Sequence, residues 1–264
     1  MTDFLIGVLV TLLIVALALR QGYLARSGGL AALFVGSAIF GLGGWRWGVL
    51  LGLFFFSSSL LSRYKAREKQ LAAEKFSKGH TRDWGQVLAN GGLAALYAVA
   101  GAIWPAPLWA LLFTGALAAV NADTWATELG TLSRRPPRLI TTGRIADVGT
   151  SGAITPFGTL VSAAGGGLIG LAAGLLLTEL TPLAGLLFGA GGGLAGSLLD
   201  SLLGATVQRI YYDDLRQKET ERTHRADGQP TRPLRGWSWM NNDVVNLFAA
   251  ISGGLTVWLL ASLI

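Results

Sequence analysis

The chain has 264 residues, 52% hydrophobic and 14% charged, with a mean hydropathy of +0.51 and a net charge of +6. A soluble domain usually carries about 25% charged residues, so the composition argues against a soluble enzyme and for one integral-membrane domain over 1–264. Absent cysteine excludes disulfides and thiolate chemistry, and the positive charge lies in loops beside apolar segments, as membrane topology requires, so no nucleic-acid partner is expected.

In chain order, the first apolar window, 4–19, lacks both the basic start and the small-residue cleavage site of a signal peptide, and reads as a spanning helix. Windows at 28–43 and 47–61 follow, divided at GLGGWRWG, and then 86–103, 108–129, 154–178, 182–207 and 244–264. Together they predict an all-α polytopic bundle of about eight transmembrane helices. The main cytoplasmic loops fall at about 62–85, 130–153 and 208–243. Glu68, Glu74 and Asp83 read as partners of the bases in the first of these, in a solvated helical hairpin.

Basic residues test this count. With eight spans, the loops on one side hold 20 of the 21 lysines and arginines, and the other side holds only Arg46. The positive-inside tendency makes the basic side cytoplasmic and puts both termini outside. Trp45, Trp47, Trp104, Trp109 and Trp258 then fall near the outer boundary, and Trp84, Trp237 and Trp239 near the inner one, as amphipathic indoles do. Glycine numbers 37, with the runs SAAGGGLIGLAAG and FGAGGGLAGS inside the sixth and seventh windows. Small residues at such spacing let helix backbones approach closely in lipid and predict a tightly packed bundle.

An ionised side chain within the bilayer costs several kcal/mol and calls for a reason. Asp123 lies six residues before the cytoplasmic end of the fifth window and Asp200 seven before that of the seventh, depths of about 9 and 10 Å. Glu128 and Asp243 lie at the rim on the same side, so four carboxylates from three helices gather at similar levels. Asn121, Thr124 and Glu128 share a helical face, as do Asn242 and Asn246, four apart. Asn90 enters the fourth helix at a comparable level. Hard oxygen ligands at such a site suit Mg²⁺, which commonly takes one or two carboxylates plus substrate phosphates, so Asp123, Asp200 and Asp243 are the candidate metal ligands. A proton or cation pathway is the competing use of buried carboxylates, but the outer halves of the helices are almost wholly apolar, which favours a one-sided site.

The loop RRPPRLITTGRIADVGTSGAITPFGT supplies the complementary charge. Backbone amides of a glycine-containing turn before a helix make an anion site, here Gly149-Thr150-Ser151-Gly152. Arginine suits bidentate phosphate contact, and Arg144 is nearest to that turn. His80 and His224 lie in charged loops without metal-ligand spacing, and no GxSxG occurs. Phosphoryl chemistry, which needs mainly positioning and charge neutralisation, is the natural use of the remaining groups.

NADTWATELG, PPRLITTGR…VGTSGAITPFGT, AGSLLDSLLGATVQ and NNDVVN, in that order over the last two-thirds of the chain, resemble the signatures of the integral-membrane family of transmembrane protein 19 and the plastid phytyl-phosphate kinase of tocopherol synthesis. The resemblance implies phosphorylation of an isoprenoid monophosphate to its diphosphate by a nucleoside triphosphate, CTP in particular. It carries Asn121, Asp123, Thr124 and Glu128 from the first motif and Gly149, Thr150 and Gly152 from the second. From the third it carries Asp200, Ser201, Gly204 and Gln208, and from the fourth Asn242, Asp243 and Asn246. Ser151 departs from the pattern, which has a larger polar residue there. Asp123, Glu128, Asp200 and Arg144 are then the expected catalytic groups, with the asparagines, Thr124, Ser201, Gln208 and the glycine turn around the nucleotide phosphates. The prenyl tail is expected in the bilayer between the glycine-lined helices. A cytidylyltransferase acting on a lipid phosphate and a cation-coupled transporter are the alternative readings. The expected setting is a bacterial inner membrane with the site facing the cytoplasm, and a homodimer is compatible with the chain.

Overall fold

The computed structural model describes residues 2–66, 68–69, 81–225 and 227–263. Among them are eight helices: α1 (Thr2–Arg20), α2 (Arg26–Leu42), α3 (Trp45–Arg63), α4 (Trp84–Ile103), α5 (Pro107–Gly130), α6 (Pro156–Leu176), α7 (Pro182–Thr206) and α8 (Asn242–Ser262). Of these, α4, α6, α7 and α8 are long and apolar enough to cross a membrane. Phe4–Arg20 and Arg26–Leu42 are shorter apolar stretches, while α3 and α5 are long but diluted by their polar ends. The hairpin expected in the basic loop, with Glu74 and His80, lies outside the described residues.

Helix starts follow local chemistry. Thr155 and Thr181 cap α6 and α7 by accepting from the amides of Gly158 and Ala184, each ahead of a proline at the first helical position. Asn241 caps α8 in the same way. Asp83 forms a capping box with Gln86 at the start of α4.

Helix α5 is the axis of the bundle, buried from Ala110 through Ala122 almost without a break, and packs on α6, α7, α8, α4 and α3. Phe113 and Leu117 are fully buried there beside Ile39, Leu50 and Ile169. The glycine runs form the closest seams. A side chain at Gly170 would meet the carbonyl oxygen of Gly185 and lie 2.7 Å from the Cα of Gly189, and one at Gly166 would lie 2.8 Å from the Cα of Gly193. Helices α6 and α7 therefore touch backbone to backbone. Leu9, Phe34, Leu160, Leu175 and Leu183 are all exposed on the outer faces, as lipid-facing side chains are and as a soluble surface rarely is. Trp45, Trp84, Trp104, Trp237 and Trp239 are likewise exposed. Trp47 instead packs on Phe113 with ring centroids 4.3 Å apart.

The all-α expectation needs one correction. The segment between α7 and α8 holds a three-stranded antiparallel sheet, β3 (Ile210–Asp213), β4 (Lys218–Thr220) and β5 (Arg232–Arg235), in the order β4-β3-β5. Isoleucine and tyrosines favour the strand, and Asp213 closes the β3–β4 turn by accepting from the amides of Leu215 and Arg216. A shorter pairing, β1 (Arg138–Leu139) with β2 (Ala153–Ile154), gathers the loop between α5 and α6.

Candidate active site

The ends of α4 to α8 on one side of the bundle enclose a polar cavity of about 280 Å³. Helix α5 brings Asp123, Thr124 and Glu128 to its wall, and α7 brings Ser197, Asp200 and Ser201. Asn242 and Asn246 come from α8, Gln86 and Asn90 from α4, and Gly149 to Gly152 from the loop above. That loop is built for close approach. Gly149 and Gly152 have φ of 79° and 82°, a conformation that favours glycine, and a side chain at Gly152 would collide with Ala205 of α7.

Two residues that the sequence reading had left in charged loops also line the cavity. Glu221, just past β4, accepts hydrogen bonds at Oε1 from Ser151 Oγ (2.9 Å) and Gln208 Nε2 (2.8 Å). Ser151 and Gln208, expected around phosphates, thus hold Glu221 in the cavity wall. Lys69 is buried with its ammonium paired to Glu128, and it also donates to the carbonyls of Leu61 (2.7 Å) and Ser62 (3.3 Å). Glu128, read as a catalytic group, is therefore one half of a buried ion pair. Thr124 spends its hydroxyl proton on the Val120 carbonyl at 2.8 Å.

The carboxylates of Asp123, Asp200 and Glu221 lie within electrostatic reach of one another. Asp200 Oδ2 is buried without a hydrogen-bond partner among the described residues, and so is Ser162 Oγ on the opposite wall. No three His, Asp or Glu side chains among the described residues close a metal shell unaided, so a cation here would need oxygens from its ligand.

Three expected residues stand elsewhere. Arg144 is exposed in the tight turn closed by the Leu139 amide donating to the Arg144 carbonyl at 2.9 Å, and is not in the cavity wall. Arg135 lines it instead. Asp243 is also outside the wall, because it stands about 100° around α8 from Asn242 while Asn246 returns to the same face. Asn121 is fully buried below the cavity. Its Nδ2 donates to the Gly165 carbonyl at 2.8 Å, and its Oδ1 accepts from Ser57 (3.1 Å) and Ser58 (3.4 Å). It shares the face of Glu128 but sits about 10 Å deeper, where it ties α5 to α6 and α3.

Arg82 was missed as well. Its Nη1 donates to Ser59 Oγ at 2.7 Å, its backbone is pinned to Tyr23 and Ala25, and its side chain lines the cavity. Burial pulls the guanidinium down to about 10, against the opposing charge of Glu128, so it stays cationic at neutral pH.

A family model for the integral membrane protein DUF92 matches residues 9–254, which contain all four motifs. The chain belongs to that family. Within the DUF92 proteins it is 32% identical over 268 residues to Protein PGR of Arabidopsis thaliana, covering 93% of this chain and 91% of that one. It is 34% identical over 227 residues to the uncharacterized membrane protein MJ0933 of Methanocaldococcus jannaschii, covering 84% and 81%. It is 30% identical over 227 residues to the uncharacterized membrane protein sll0875 of Synechocystis, covering 80% and 74%. No solved structure matches the chain.

Proposed function

We propose that this DUF92 member is a Mg²⁺-dependent membrane phosphotransferase. It moves the γ-phosphoryl group of a nucleoside triphosphate, CTP by the family resemblance, to an isoprenoid monophosphate. The observation that carries this reading is the unpartnered Asp200 Oδ2, buried beside Asp123 and Glu221 under a glycine turn. A cation relieves the repulsion among like charges gathered away from water. The donors present are all hard oxygens, and an incomplete protein shell is what Mg²⁺ accepts when phosphates supply the rest. Asp123 and Asp200 would hold the ion, with the charge of Glu221 nearby and phosphate oxygens completing the shell. When bound, the metal would neutralise charge on the phosphates.

The residues of the chain position the reactants. Arg135 and the amides of Gly149, Ser151 and Gly152 steady the phosphate chain, with Asn242 and Asn246 on the α8 side. The anionic oxygen of the lipid monophosphate attacks the γ-phosphorus in line. The bond from that phosphorus to the β–γ bridging oxygen breaks, and the lipid diphosphate and nucleoside diphosphate leave. No general base is required, because the attacking oxygen carries no proton that must be removed.

All eight helices cross the bacterial inner membrane in this reading, with both termini outside and the cavity open to the cytoplasm. The distribution of 20 of 21 basic residues supports it. The apolar core of α5 around Phe113 and Leu117 argues against a carrier.

The test is turnover by purified protein with Mg²⁺, CTP and phytyl or geranylgeranyl monophosphate, with products identified by mass. Prenyl diphosphate and CDP are expected. Pyrophosphate with a CDP-lipid would instead identify a cytidylyltransferase. Asp200→Asn should lower turnover by about a thousandfold, roughly 4 kcal/mol, while melting at or above the wild-type temperature because a repelled charge is gone. A melting temperature that falls along with activity would make Asp200 a structural residue.

A further inference from the structure

The expected place for the lipid tail, between the glycine-lined helices, is closed by the backbone contact of α6 with α7. A second cavity lies elsewhere. Helices α1 to α4 enclose an apolar cleft of about 80 Å³, walled by Val35, Phe40, Leu51 and Phe55. Its space exists because side chains are missing. A Cβ at Gly52 would have only Phe56 within reach, at 4.0 Å, and Ala32 and Gly91 are small walls on the other helices. Its polar end is formed by Arg82, Gln86 and Asn90, and these same three residues line the carboxylate cavity. The two cavities therefore meet across one shared wall.

Resting on the kinase reading above, we propose that this cleft holds the hydrocarbon tail of the lipid monophosphate, with Arg82 at the junction binding its phosphate. The chemistry matches end to end. An amphiphile with one anionic head needs an apolar slot that opens beside a fixed cation, and the cavity beyond must accept the phosphate. Arg82 is that fixed cation: its backbone is held by the Tyr23 carbonyl and the Ala25 amide, both at 2.9 Å, and its guanidinium lies 5.4 Å from the Phe55 ring centre. Phe55 itself belongs to the cleft wall, so head and tail sites share a boundary. From Ala32 to Phe40 the cleft follows about 12 Å of α2, directed away from Arg82 toward the opposite end of the bundle. Arg82 lines the same cavity as the carboxylates, so its charge offsets their repulsion of a negative lipid head.

The test uses a hexadecyl phosphate carrying a diazirine a few carbons from its phosphate, photolysed with the full-length protein in detergent and mapped by mass spectrometry. Hexadecanol with the same diazirine is the control. Labelling is expected on α2 and α3 around Phe40, Leu51 and Phe55, at least fivefold above the alcohol. Gly52→Phe, which puts a ring into the cleft from α3, should lower that labelling at least fivefold while eluting as a single folded species. Arg82→Gln should reduce labelling by the phosphate and not by the alcohol. Labels spread over all outer faces, or equal for phosphate and alcohol, overturn the proposal. So does cleft labelling that survives Gly52→Phe. Prenyl-phosphate turnover with scattered labels would overturn the tail site and leave the kinase reading standing. Cleft labelling without any turnover would uphold the tail site and reject the kinase.

Discussion

The two halves of the bundle are packed on different principles. In α5 to α8, glycine brings backbone against backbone, so Gly166, Gly170, Gly185 and Gly189 leave no volume between α6 and α7. In α1 to α4, glycine also seats α1 on α2, with Gly7 against the Gly41 backbone, but the remaining faces meet through larger side chains such as Val35, Phe40, Leu51 and Phe55, and a cleft remains. The difference follows from what each half must do. Carboxylates that repel one another stay in place only on a frame that cannot relax, whereas a hydrocarbon ligand needs a wall that leaves room. Polar contacts join the halves at the Asn121 amide between α3, α5 and α6, at the Trp125 indole on Ser57 Oγ, and at the Lys69–Glu128 pair.

Substitutions can break this contrast in graded fashion. Gly170→Val should have the largest effect, because its side chain meets the Gly185 carbonyl and the Gly189 backbone. Overpacking costs 1–3 kcal/mol or more, and here no side chain can yield. Loss of the monodisperse peak on size exclusion is expected. Lys69→Met leaves Glu128 buried without its cation and should destabilise by about 3–5 kcal/mol. Adding Glu128→Gln should restore most of that, so a double-mutant cycle on thermal unfolding checks the pairing. Asn121→Leu removes the two hydrogen bonds from Ser57 and Ser58 that join the halves and strands the Gly165 carbonyl of α6, for a loss of about 2–3 kcal/mol. Gly52→Ala should be the mildest change, within about 0.5 kcal/mol, since the new methyl enters open space and improves helix propensity. Equal damage from Gly52→Ala and Gly170→Val would erase the distinction between the halves.

The sequence displays the helices well because each is written twice, once in its apolar run and again in its ends. The Thr-Pro starts of α6 and α7 and the charged residues between windows put most boundaries within about two residues of those found. The fifth helix carries Asp123 and the seventh Asp200 to one cavity, as their depths imply. What a linear reading leaves out is contact made by segments that fold back. Glu221 sits among Arg222, Arg225 and Glu219 and has the look of a solvated loop residue until β3 and β4 return it to Ser151 and Gln208. Lys69 is one base among several in its loop, and nothing local distinguishes it as buried. Asn121 shows the converse. Its helical spacing with Glu128 is right, but depth along α5 assigns it to the core and not to the cavity.

The short connection between α6 and α7 also bears on how the chain is made. Only Leu177 to Thr181 separate two apolar helices whose glycines face one another. Such a pair leaves the ribosome as a ready hairpin and can enter the bilayer as one unit. Asp200, near the end of the second arm, then travels in as a passenger on some forty apolar positions. Insertion of that carboxylate, costly for a helix alone, is spread over both arms, and a substitution that separates them would be felt first during biogenesis, as chains that never reach the membrane.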